Sequence, residues 1–170
     1  MDQNLAIGVW SVVSPFIAAG LAAWLGYHFG VKKKQQELLV SEKFERLKKL
    51  NEGIANLEYY CEARISEERG SDIGPGLERL SKDAPRSALE HAEYLHRVYR
   101  DAMLFLSAHP RQEIRALIDQ VWRAADMESK IATDPTLASE MTPLDSYTNL
   151  AAKAESCIEM LHHEAGSSRK

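Results

Sequence analysis

The stretch Thr142-Pro-Leu-Asp-Ser-Tyr-Thr-Asn-Leu-Ala-Ala-Lys-Ala-Glu-Ser-Cys-Ile-Glu-Met-Leu-His-His-Glu-Ala-Gly166 decides the fold class. Thr142 is placed to accept from the first turn, Pro143 suits the first helical position, and Asp145 adds an acid near the positive helix end. Behind them Leu144, Tyr147, Ala151, Ala154, Ile158 and Leu161 recur in steps of three and four, and Gly166 closes the run. The pattern predicts a capped amphipathic helix. Going back along the chain, Ile114, Leu117, Ile118, Val121 and Ala125 form one stripe of a helix over about 110–131. Leu89, Ala92, Leu95, Val98, Ala102, Phe105 and Leu106 do the same over about 86–108, with Asp83 as the expected cap and Pro85 in the first turn. Val40, Leu47, Leu50, Ile54, Leu57 and Cys61 keep a heptad seam through a fourth helix, a stalk over 32–69. The three glycines and one proline of residues 70–76 stop that helix, and a short turn is expected over 77–82. No long alternating apolar and polar run calls for a strand, so the expected fold class is all-α.

The start of the chain reads differently. Residues 5–31, LAIGVWSVVSPFIAAGLAAWLGYHFGV, hold no Asp, Glu, Lys or Arg, and 27 residues make about 40 Å of helix, enough for a ~30 Å hydrocarbon core. A cleaved signal would open with positive charge, whereas this chain opens Met1-Asp2-Gln3-Asn4. The expectation is therefore a single transmembrane helix over 5–31, after a short non-cytoplasmic tail over 1–4. The stalk would follow over 32–69, then a cytosolic helical bundle over 77–164 and a tail over 165–170. Lys32, Lys33 and Lys34 directly after the span place the C-terminal bulk in the cytoplasm, hence an inner-membrane, single-pass, N-out protein with these lysines at the lipid surface. Within the span, Ser14, Ala18, Ala22, Gly26 and Gly30 repeat every four residues, a small-residue ridge of the kind that lets helices associate closely. A homo-oligomer is expected from it, with a pore as one form such an assembly could take.

Charge and motifs narrow the chemistry. The 170 residues carry 21 Lys+Arg and 25 Asp+Glu; residues 32–49 are net +4 and 50–170 net −7. The acidic distal part argues against broad nucleic-acid binding, which needs a phosphate-neutralising surface. Cys61 and Cys157 form no CxxC pair, and no phosphate loop, nucleophile elbow or HExxH is present. Two E-x-x-H motifs, Glu93 to His96 and Glu159 to His162, have the spacing used in di-iron bundles, but on a helical wheel both glutamates lie away from the apolar face. His162 and His163 diverge by about 100° and cannot readily share a metal. No metal and no cofactor is expected.

Arg86-Ser87-Ala88-Leu89-Glu90-His91 is an R-x4-H motif. On these residues the chain resembles HEPN-type ribonucleases, small helical bundles whose arginine and histidine meet across a dimer interface to cut RNA without metal. In layout it also resembles the small membrane-anchored, HEPN-like accessory proteins of type VI-B CRISPR systems. The resemblance implies Arg86 and His91 as a catalytic pair, RNA as substrate, or else an antiviral accessory with a protein partner in the cytoplasm. The helical wheel places His91 about 40° from the centre of its apolar face and Arg86 near the opposite side. Two functions from different classes result: a membrane-anchored, oligomerising helical assembly or accessory protein, which is not an enzyme, and a membrane-tethered HEPN-like endoribonuclease using Arg86 and His91.

Overall fold

The computed structural model describes the backbone of residues 3–70, 84–139, 141 and 143–167, and the side chains of 24–27, 30–70, 84–137, 141 and 143–166. The described residues are helical and contain no strand, as the periodicity requires. Helix α1 runs Gln3–Glu68, α2 Ala88–Ala102, α3 Ala108–Thr133 and α4 Pro143–Ser167, with 3-10 turns at Met103–Phe105 and Pro135–Ser139. The chain divides into two compact units, Met1–Glu42 and Lys43–Lys170. The second is a four-helix bundle made of the last seven turns of α1 with α2, α3 and α4, and α3 packs against both α2 and α4.

The heptad seam of α1 is buried from Leu47 through Leu50, Ile54, Leu57 and Cys61, while Val40 is 67% exposed. The later turns of the stalk helix over 32–69 thus supply a quarter of the buried core, as the fourth helix of the bundle. In α3 the expected stripe is buried as read. In α4 the deep positions are Tyr147, Leu150, Ala154, Cys157 and Leu161, again in steps of three and four, but the face is turned so that Leu144, Ala151 and Ile158 are only half-buried. In α2 Leu89 is 49% exposed and Ala88 and His91 lie inside in its place.

The transmembrane span over 5–31, and with it the inner-membrane, single-pass, N-out placement, is not upheld. Among the described residues no helix is long and apolar enough to cross a membrane. Helix α1 continues without a break through Lys32, Lys33, Lys34 and the polar residues that follow.

The helix ends show how local sequence sets the connections. Gly70 lies in the left-handed region at φ 61° and donates its N–H to the Glu67 carbonyl at 3.0 Å, the conformation that only glycine adopts without a Cβ penalty after a helix. The turn expected over 77–82, the Asp83 cap and the Thr142 cap lie outside the described residues. Helix α2 is instead capped by Ser87, whose Oγ accepts from the Glu90 N–H at 3.2 Å, while the Glu90 carboxylate accepts from the Arg86 N–H at 2.7 Å. This is a capping box shifted by one residue, and Ser87-Ala88-Leu89-Glu90 carries its S-x-x-E signature. We expect Ser87→Ala to lower bundle stability by about 1 kcal/mol in urea denaturation, with Ser87→Asp restoring most of it. At the other end of α2, Arg46 of α1 pairs with Asp101 at 3.1 Å. Ser107 ties α3 to α4 by donating its N–H and Oγ to Glu164 at 2.9 and 3.0 Å.

Candidate functional site: a polar cluster in the bundle core

Helix α3 continues its buried stripe from Ile114, Leu117, Val121 and Ala124 to position 128, where the side chain is a carboxylate. Two tyrosines converge on it. Tyr60 of α1 donates its hydroxyl to Glu128 Oε1, and Tyr147 of α4 donates to the same oxygen at 2.7 Å. The other oxygen accepts the Ala88 N–H, in the first turn of α2, at 3.1 Å. One carboxylate thus joins all four helices. That N–H belongs to a helix start, where donors are unpaired by the helix itself and the local dipole favours negative charge.

Around this carboxylate the rings are ordered. The Tyr60 and Tyr147 rings meet edge-on with centroids 6.2 Å apart, and His91 of α2 lies against Tyr60 at 4.9 Å and 42°. The Arg64 guanidinium sits 5.6 Å from the centre of the Tyr147 ring and donates to Glu67 at 2.7 Å. Burial and the hydrogen bond to Glu128 push the Tyr60 phenol far above its usual value and that of Tyr147 up to about 12. Burial likewise raises the Cys61 thiol to about 12 and the Cys157 thiol to about 11; both are free and buried. At neutral pH the phenols therefore donate and do not ionise, and the thiols stay protonated and unreactive.

His91 is fully buried, and neither ring nitrogen has a hydrogen-bond partner. Burial lowers its pKa to about 4, against the opposing pull of Glu90, the Pro85 carbonyl and Glu128. Arg86 is exposed ahead of α2, so within one chain the two members of the R-x4-H motif stand in different surroundings, one in solvent and one in the core. Arg86 lines an open groove of about 420 Å³ with Ala84, Pro85, Glu90, Glu93, Tyr94 and Arg97, where the Arg97 guanidinium lies 5.5 Å from the centre of the Tyr94 ring. A general acid or base must reach the proton it transfers, and the His91 imidazole is fully buried and is not part of the lining of that groove. The cluster's chemistry is that of a clamp: donors matched to one buried acceptor, with no accessible nucleophile.

The remaining expected residues fall outside this cluster. Ser14, Ala18 and Ala22 lie outside the described side chains, and a Cβ added to Gly26 or Gly30 would meet nothing within 4 Å. Lys32, Lys33 and Lys34 are exposed, as are Glu93, His96, Glu159, His162 and His163. No group of three or more His, Cys, Asp or Glu able to hold a metal occurs among the described residues.

Glu128, Tyr60 and Tyr147 were not singled out from the sequence, although a signal exists. Glu128 falls on the α3 stripe at the next step of four after Ala124, where an unpaired acid would be costly, Tyr147 falls on the α4 stripe, and Tyr60 flanks the α1 seam beside Cys61, each with a hydroxyl to offer. Comparison with protein-family models, with curated proteins and with solved structures finds no match to this chain.

Proposed function

We propose that this chain is a helical interaction protein without catalytic activity, which self-associates through the N-terminal part of α1. The observation that carries this reading is a stripe of exposed apolar side chains. Leu25, Leu39, Val40 and Phe44 are exposed on other sides of α1, while Trp24, Tyr27, Val31 and Leu38, at 61%, 75%, 38% and 62% exposure, share one side. The latter four are spaced three, four and seven apart and fall within about 60° of one another on the helix. A water-facing helix normally presents polar residues all round, and most helical stability comes from burying one apolar face. The spacing is that of a coiled-coil seam, which a second copy of the same helix matches by construction. Gly26 and Gly30 leave an adjoining face without side-chain bulk, in keeping with close helix approach. The sealed position of His91 and the inert tyrosines and thiols favour this reading over the ribonuclease one.

Sedimentation velocity on the full chain tests it. We expect an oligomer at micromolar concentration that Val31→Glu with Leu38→Glu converts to monomer. Leu89→Glu, at an exposed apolar position on α2, should leave association unchanged. A monomeric wild-type chain, or an oligomer indifferent to the α1 changes, overturns the proposal.

A further inference from the structure

His91 is an expensive choice for its position. A leucine would fill the same site with no polar atoms, whereas the imidazole leaves both nitrogens buried without partners. It also sits one turn into α2, where that helix is fixed by the Ser87 cap and by the Ala88 N–H held on Glu128. We propose that His91 is an acid-sensitive latch, whose protonation releases the first turns of α2 from Tyr60 and opens the polar cluster while the rest of the bundle stays folded.

The groups around the ring decide what protonation does. From α1 come the Tyr60 ring in contact, its neighbour Cys61, and Arg64 one turn on; from α3 comes Glu128; from α4 comes Tyr147, edge-on to Tyr60. On its own helix stands Glu90, with the Pro85 carbonyl just before. Two of these groups are carboxylates, and both are engaged. Glu128 already accepts three donors, and Glu90 is exposed and accepts the Arg86 N–H. An imidazolium would present two N–H donors to a buried site where both carboxylates are in use and the Pro85 carbonyl is the one acceptor left for it, so the closed state resists the proton.

The sign follows from linkage. In the closed state the imidazole pKa is depressed to about 4, from an ordinary 6.5. Above pH 6.5 both states are neutral and pH has no effect through this group. As pH falls from 6.5 towards 4 the open state takes the proton first, and the stability that the neutral imidazole allowed is lost across that window. A difference of this size shifts the opening equilibrium by on the order of 100-fold, flattening below pH 4.

The two buried thiols report where the opening occurs. Cys61 adjoins Tyr60, while Cys157 lies ten residues beyond Tyr147, about 15 Å along α4. The full chain is labelled with 4,4′-dithiodipyridine, which reacts under acid conditions, at pH values from 7 to 4.5. Rates are normalised to a free thiol, and the two sites are separated by peptide mapping. We expect Cys61 labelling to rise at least 10-fold between pH 6.5 and 4.5 while Cys157 stays protected and far-UV circular dichroism is unchanged. His91→Leu should flatten the profile; should it not fold, His91→Gln, which is polar but does not titrate, takes its place. Three results would each overturn the latch: Cys61 and Cys157 exposed together as helicity falls, a wild-type profile in the His91 variant, or no rise at Cys61.

Discussion

Glu128→Ala should cost the bundle about 4 kcal/mol in urea denaturation, as much as truncating a large apolar side chain of the core. The carboxylate holds the Tyr60 hydroxyl, the Tyr147 hydroxyl and the Ala88 N–H. Removing it strands three donors from three helices, each costing roughly 1 to 3 kcal/mol when left unsatisfied. The sum is less than three full penalties because Glu128 is only half-buried and water can enter the vacated space. Glu128→Gln separates charge from geometry. Its amide keeps one acceptor for the tyrosines but turns an NH2 towards the Ala88 N–H, donor against donor, so a loss of about 2 kcal/mol is expected. Tyr60→Phe and Tyr147→Phe each remove one donor and leave the acceptor partnered. Each should cost about 1 kcal/mol, with the pair deviating from additivity because both bond the same oxygen. A loss below about 1 kcal/mol for Glu128→Ala would mean that the site is solvated in solution and that the carboxylate does not bind the helices together.

The cluster also marks the boundary of what the sequence makes legible. Period and spacing are properties of single helices, and they locate α3 and α4 to within two residues and the buried seam of α1 from Leu47 to Cys61. They even place His91 on an inward face. What they cannot give is rotation about the helix axis once neighbours compete for space. Tyr147, Leu150, Ala154, Cys157 and Leu161 win the interior of α4 over Leu144, Ala151 and Ile158 because the face is chosen by the partner helices, and two stripes about 40° apart read nearly alike. The Glu128 clamp is further out of reach, since it joins Tyr60, Ala88 and Tyr147 across separations of 68, 40 and 19 residues. The R-x4-H motif differs in kind. Its spacing was visible, but Ser87 starts α2 between its two members, so the arginine stays in solvent while the histidine turns inward.

Gly53→Ala should destabilise the bundle by about 1 kcal/mol, although alanine is the better helix former by about 1 kcal/mol. Gly53 lies inside α1, where α2 crosses closely. A Cβ there would stand 2.8 Å from Tyr94 Cε1, 3.3 Å from Tyr94 Cδ1 and 3.1 Å from Leu95 Cδ2. The two neighbours differ in their freedom to yield. Leu95 is fully buried in the core and cannot give way without disturbing its contacts. Tyr94 is half-buried at the edge of the groove, so its ring can swing outward, at the loss of its packing and of its contact with the Arg97 guanidinium. The overpacking penalty of roughly 1 to 3 kcal/mol therefore exceeds the propensity gain. A double-mutant cycle separates the terms. In a Tyr94→Ala background the closest contact is gone, Leu95 needs to shift by only a few tenths of an ångström, and Gly53→Ala should become neutral or mildly stabilising. If Gly53→Ala instead destabilises equally in both backgrounds, the tight contact with the Tyr94 ring is not what requires glycine there, and the clash lies with Leu95.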